Sequence, residues 1–144
     1  MDNWYTDKEK HILQLMTWMR GHTGNIDHMR GGCGDLMRYI TFEDEISEEL
    51  MLMDGGIVDI AKTALRLYPL DEGVQIMGLN ILAKIASIGG NFTEDVMEGG
   101  TMGITQNAAQ KFDGNEAVTN QATALIRTLR DNLVDDNLNI DMMR

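Results

Sequence analysis

Apolar residues recur along the chain with the spacing of amphipathic helices. One stripe follows the i, i+3, i+4, i+7, i+8, i+11 pattern and comprises Ile57, Ile60, Ala61, Ala64, Leu65 and Tyr68. A second stripe comprises Val74, Gly78, Leu82 and Ile85. Pro69 cannot continue the first helix, and Asp71 can cap the second. The alternation of apolar and polar residues that marks strands is absent, so the pattern predicts an all-α protein.

The helical pattern repeats. Residues 53–57 (MDGGI) and 97–101 (MEGGT) lie 44 residues apart, and apolar or small residues match at the same shift beyond them. A shift of 45 extends the match backward, where Met29 falls on Val74 and Cys33 on Gly78. This first copy carries Gly31–Gly32 inside its second helix, which predicts a bend or a late start of that helix.

Each unit therefore reads as a short acidic helix, a Gly–Gly bend, a middle helix, a turn and a longer helix. We expect one domain over residues 1–144, with repeats at about 6–42, 43–87 and 91–131, and residues 132–144 as a partial next unit or tail. The first copy opens directly on a middle helix, at the capping-box pattern of Thr6 and Glu9. These ends predict a piece of a longer array, or a small protein that self-associates through the ends of the solenoid. The candidate contact residues there are Trp4, Trp18 and Leu138.

The repeat pattern resembles that of the armadillo family, with HEAT repeats as the nearest alternative. The similarity is greatest in GGI at 55–57, PLD at 69–71, VQ at 74–75 and GLNILAKIA at 78–86. The resemblance implies a right-handed α-solenoid of about three armadillo-type repeats. It also implies that the last helices of successive units line a concave groove, which binds extended peptides or partner proteins.

The candidate groove residues follow from steps of three or four along those last helices. They are His28, Asp35, Tyr39, Met77, Asn80, Lys84, Gln121, Thr128 and Asp131. In one interpretation this mixed strip of polar and apolar residues forms hydrogen bonds with a peptide backbone, and Tyr39 is the anchor residue for the peptide. In the other it is an ordinary solvated face. Import receptors of the family use a Trp/Asn pair, four residues apart. The matching positions hold no such pair: they are Asp35 and Tyr39, Asn80 and Lys84, and Ala124 and Thr128.

Charge and composition limit the classes of molecule that the chain is expected to bind. The formal net charge is −11, which argues against nucleic acid and anionic membrane and favours another protein with basic character. No apolar run is long enough to predict a membrane span. Cys33 is the only cysteine, so we expect a reducing cytoplasmic or nuclear setting.

Residue types that carry chemistry are sparse. His11, His22, His28 and Cys33 lack the paired spacing of metal ligands, and Cys33 aligns with Gly78 and Ala122, where a small packed residue fits. We expect no metal, no cofactor and no enzymatic activity. The sequence favours a protein–protein interaction module of the scaffold, adaptor or co-chaperone type. The alternative is a structural or regulatory solenoid segment of a larger enzyme or motor protein.

Overall fold

The computed structural model describes residues 5–41 and 46–142, with side chains described for residues 5–40 and 46–131. These residues form helices and no strand, as the apolar pattern predicts. The helices are α1 (Asp7–Arg20), α2 (Ile26–Thr41), α3 (Glu48–Leu52), α4 (Ile57–Leu67), α5 (Glu72–Ala86), α6 (Asn91–Met97), α7 (Thr101–Lys111) and α8 (Glu116–Met142). Trp4, the acidic residues 43–45 and the side chain of Leu138 lie outside the described part.

Local signals at the helix ends account for several boundaries. Thr6 and Glu9 form the capping box of α1, and the Asp71 carboxylate accepts the backbone N–H of Val74 at the start of α5. Asn115 plays the same part for α8 by accepting from the N–H of Val118. Each side chain accepts a hydrogen bond from a backbone N–H that has no partner inside its helix, so the local sequence determines where these helices begin.

The helices pack in two rows. Helices α2, α5 and α8 form one row, in which α5 packs against both of its neighbours. Helices α1, α4 and α7 form the other, and the rows join through the pairs α1–α2, α4–α5 and α7–α8. Because α4 and α7 begin 44 residues apart, as do α5 and α8, the sequence repeat corresponds to a repeat of packed helices.

The core lies between the two rows. Its largest fully buried side chains come from α1, α2, α3, α4 and α5: Ile12, Met16, Met19, Met29, Leu36, Leu50, Ile57, Leu65, Leu79, Ile81, Leu82 and Ile85. Methionines fill the part contributed by the first unit, where an unbranched side chain adapts to irregular space. In the last unit α8 contributes Val118, Ala122, Leu125 and Leu129 to the core, α6 contributes Val96, and α7 contributes Ala108.

Helix α2 corrects one expectation from the sequence. It begins at Ile26, before the glycine pair, so the late start at Gly31–Gly32 that we considered is wrong. A Cβ atom at Gly32 would lie 2.6 Å from Sδ of Met19 on α1. Glycine lowers the stability of a helix, but the close packing of α1 on α2 leaves little room for a larger residue at this position. In α5, Gly78 lies similarly close to Leu65 of α4.

The start of α6 and the end of α8 are defined by the structure. Gly90 occupies the cap position of α6, and the buried Thr93 hydroxyl donates to the carbonyl oxygen of Ala86 at 2.6 Å. Helix α8 runs past residue 131 and ends at Met142. Residues 132–142 therefore prolong the last long helix.

Candidate protein-binding surface

The row formed by α2, α5 and α8 carries all nine candidate groove residues. Three lie on each helix, in chain order. Lys84 and Asp131 are exposed, and the other seven are partly buried. Partly buried polar side chains on neighbouring helices combine some rigidity with access to a partner, so this row is the candidate protein-binding surface.

The middle of the row is joined by direct contacts. Asn80 Nδ2 on α5 donates to Gln121 Oε1 on α8 at 3.1 Å. On the other side of α5, Met77 packs so close to α2 that a Cβ atom at Gly34 would lie 3.2 Å from its Sδ. The structure therefore connects Met77, Asn80 and Gln121 across the three helices. Thr128 does not take part, because its hydroxyl donates to the carbonyl oxygen of Ala124 in its own helix.

On α2, the candidate residues are held by ionic and aromatic contacts. Asp35 pairs with Arg38 one turn later. The ammonium group of Lys8, on α1, lies 5.6 Å from the centroid of the Tyr39 ring and donates to the Tyr39 carbonyl oxygen at 3.4 Å. The ring expected to anchor a partner is therefore positioned by α1, which local spacing on α2 does not reveal.

The first candidate residue belongs to an aromatic cluster. The ring of His28 lies 4.7 Å from that of Trp18 and 4.9 Å from that of His22, measured between centroids. His22 Nδ1 lies 2.7 Å from the Trp18 carbonyl oxygen, and 39% of Trp18 is exposed. The sequence alone does not group these three residues, because it is the turn between α1 and α2 that brings them together.

Two buried side-chain atoms in the described residues lack a hydrogen-bond partner: Nδ1 of His28 and Oδ1 of Asn80. Leaving a buried polar atom unpaired costs about 1–3 kcal/mol, so most such atoms in folded proteins are paired. Both residues belong to the predicted strip. The strip therefore holds polar atoms whose partners the described residues do not supply.

Cys33 is packed in the core, as its alignment with Gly78 and Ala122 suggests. It is fully buried, and this burial raises the pKa of its thiol to about 12. A thiol in that state is neutral at ordinary pH and is a poor nucleophile. In the part of the chain that the structure describes, no three His, Cys, Asp or Glu side chains come together in a group that could hold a metal ion.

No described helix is both long and apolar enough to cross a membrane. No protein-family model, no curated protein and no solved structure matches the chain. The described residues form an all-α structure in which packed helix pairs recur.

Proposed function

We propose that this chain is a protein–protein interaction module, of the scaffold or adaptor type, and that it does not catalyse a reaction. In this proposal the helices form a right-handed solenoid of about three armadillo-type units. An extended segment of a basic partner protein lies across α2, α5 and α8, along the strip from His28 to Asp131.

The unpaired polar atoms on the strip carry the proposal. A backbone N–H of a bound segment would supply the donor that Asn80 Oδ1 lacks, while Asn80 Nδ2 remains bonded to Gln121. The second unpaired atom, Nδ1 of His28, lies on the same strip beside the exposed ring of Trp18. A bound segment that reaches either atom would give it the hydrogen-bond partner that it lacks.

The charge of the chain sets the chemistry of the partner. A net charge of −11 attracts a basic segment and repels acidic competitors, which raises the association rate more than the final affinity. Tyr39 offers a partly buried ring for an apolar or cationic side chain of the segment. The expected ligand is thus an extended peptide with Lys or Arg residues around one larger anchor.

A peptide selection on the intact chain tests the proposal. Peptides displayed on phage would be selected on the full-length protein, and the strongest binders would be synthesised and measured by fluorescence anisotropy. We expect enrichment of Lys and Arg and a loss of affinity at higher salt. Asn80→Ala is expected to weaken binding about tenfold, the effect of losing one hydrogen bond of roughly 1.4 kcal/mol.

Asn107→Ala is the matched control, because Asn107 is an exposed asparagine on α7 in the other row. Circular dichroism and thermal unfolding would show that both variants keep the fold. Tyr39→Ala gives a second variant on the same surface. If Asn80→Ala and Tyr39→Ala bind the selected peptides as tightly as Asn107→Ala does, the strip is not the binding site and the proposal fails.

A further inference from the structure

A pocket of ≈ 270 Å³ lies where α4 and α7 meet the start of α5. We name it the α4–α7 pocket. Helix α7 supplies one wall through residues at the i, i+3, i+4, i+7 spacing of a single helix face, which are Ile104, Asn107, Ala108 and Lys111. Pockets for drug-sized ligands have about 300–1,000 Å³, so this one fits a smaller group, about the size of one amino-acid residue.

The lining of the α4–α7 pocket carries two cations and no carboxylate. Arg66 lies in the last turn of α4 and Lys111 in the last turn of α7, and both are exposed. The Arg66 guanidinium donates from Nη2 to the carbonyl oxygen of Gly99 at 2.6 Å, which helps to fix its position. Because a guanidinium has five N–H donors, this bond leaves others for a ligand. The lining is therefore positive, in a chain whose net charge is −11, and it favours an anionic group.

Backbone carbonyls that would repel an anion at the end of α4 already have a donor. Gln75 is 2% exposed, and its Nε2 donates to the carbonyl oxygens of Leu65, at 3.3 Å, and Tyr68, at 2.9 Å. The last carbonyls of a helix carry partial negative charge, and an amide donor on two of them reduces that charge. The same two bonds hold the Gln75 side chain in place at this wall of the pocket.

The rest of the lining is apolar. Pro69 is exposed, Ile104 is partly buried, and Leu65 and Ala108 are buried. An apolar group in the pocket therefore leaves water, while a charge beside it remains within the cationic part of the lining. An arginine fork matches the two oxygens of a carboxylate, so the lining is suited to a carboxylate attached to a small apolar group.

The equivalent place one unit earlier differs in charge. A pocket of the same volume, ≈ 270 Å³, lies where α1 and α4 meet α2, and Arg66 lines both pockets. Ile60 in the earlier pocket corresponds to Ile104, 44 residues later. The earlier pocket also contains the carboxylate of Asp59, which would repel an anion. The residue 44 positions after Asp59 is Gly103, so the α4–α7 pocket lacks this carboxylate.

We propose that the α4–α7 pocket binds the free α-carboxylate and the side chain of one apolar amino-acid residue. The carboxylate accepts hydrogen bonds from Arg66 and Lys111, and the apolar side chain packs on Pro69 and Ile104. Such a residue occurs at the C-terminus of a protein and in small N-acylated amino acids, which share this chemistry. The pocket shares no residue with the strip on α2, α5 and α8, and it selects a ligand of the opposite charge.

N-acetylleucine is the probe for this site, because it carries a free carboxylate on one apolar residue. Titration of the ¹⁵N-labelled full chain to millimolar concentrations is expected to shift the amide signals of Arg66, Ile104, Asn107 and Lys111. N-acetylleucinamide lacks the charge and N-acetylglycine lacks the apolar side chain, so each is expected to bind about tenfold more weakly. A hexapeptide that ends in leucine separates the two sources. If it binds at least as tightly as N-acetylleucine, the ligand is a protein C-terminus, and if it binds more weakly, the ligand is a small acid.

Lys111→Gln is expected to weaken the binding of N-acetylleucine about tenfold, because it removes one charged hydrogen-bond donor. Lys84→Gln is the matched control, since Lys84 is also an exposed lysine in the last turn of its helix and the change in net charge is the same. Absence of shifts, shifts confined to the earlier pocket, equal binding of N-acetylleucinamide, or equal binding by the two lysine variants would overturn the proposal. The two cations would then serve only the ends of their own helices.

Discussion

Alanine at Gly56 should destabilise the protein even though the backbone there suits any residue. Gly56 has φ −79° and ψ −166°, which is ordinary extended backbone. The difficulty is space: a Cβ atom would lie 2.6 Å from the carbonyl oxygen of Leu50 and 2.8 Å from that of Met53. Both contacts are with backbone, so no side-chain rotation relieves them.

The magnitude follows from what must move. Leu50 is fully buried, and Met53 is the C-cap residue of α3, so relief requires shifting the short helix and part of the core that it covers. Overpacking of this kind costs about 1–3 kcal/mol, and we expect Gly56→Ala to lie near 3 kcal/mol because two rigid carbonyls are involved. In a chain of this size that corresponds to a melting temperature lower by roughly 10 °C.

Thermal and urea unfolding measure this loss, with Gly103→Ala as the matched control. Gly103 is exposed in the first turns of α7, and a Cβ atom there has no neighbour within 4 Å. Its replacement should stabilise the protein by about 0.5 kcal/mol through helix propensity. If Gly56→Ala changes the free energy of unfolding by less than about 0.5 kcal/mol, the close approach of the bend to α3 is not as described.

Two further predictions concern buried charged groups. Lys62 on α4 donates from its ammonium to the carbonyl oxygens of Asp95 in α6, at 2.6 Å, and of Glu98 just after α6, at 2.9 Å. Lys62→Met should lower the free energy of unfolding by about 1–3 kcal/mol in urea titrations, because both carbonyls lose a charged donor. An unchanged midpoint relative to Lys84→Met at an exposed site would contradict this. Glu9 accepts the N–H of Ser47 at 2.9 Å and that of Thr6 at 3.2 Å. Burial opposes the charge, but these hydrogen bonds prevail and lower the pKa of Glu9 below 4.5. Its stabilisation is therefore complete above pH 4.5 and is lost as pH falls through the folded-state pKa. Glu9→Gln should reduce the slope of stability against pH in that acid window, and an unchanged slope would refute the assignment.

The helices of the middle unit could be predicted because their signals are local. The apolar stripe that begins at Ile57 predicts α4, and Pro69 predicts its end, and both signals lie within a short stretch of sequence. The path of α2 could not be predicted in the same way. Gly32 looks like a helix breaker in the sequence, and only the packing of Met19 against it explains its place inside α2.

The candidate strip could likewise be predicted only in part from the sequence. Spacing alone placed Asn80 and Gln121 on consecutive long helices, and the structure joins them by a hydrogen bond. Spacing could not show that His28 packs against Trp18, since that contact depends on the turn after α1. Nor could it separate Gly56 from Gly100, which has φ +79° and open space around it. The first glycine of each pair has left-handed backbone, with φ +73° at Gly55 and +75° at Gly99, so the two pairs differ only at the second glycine.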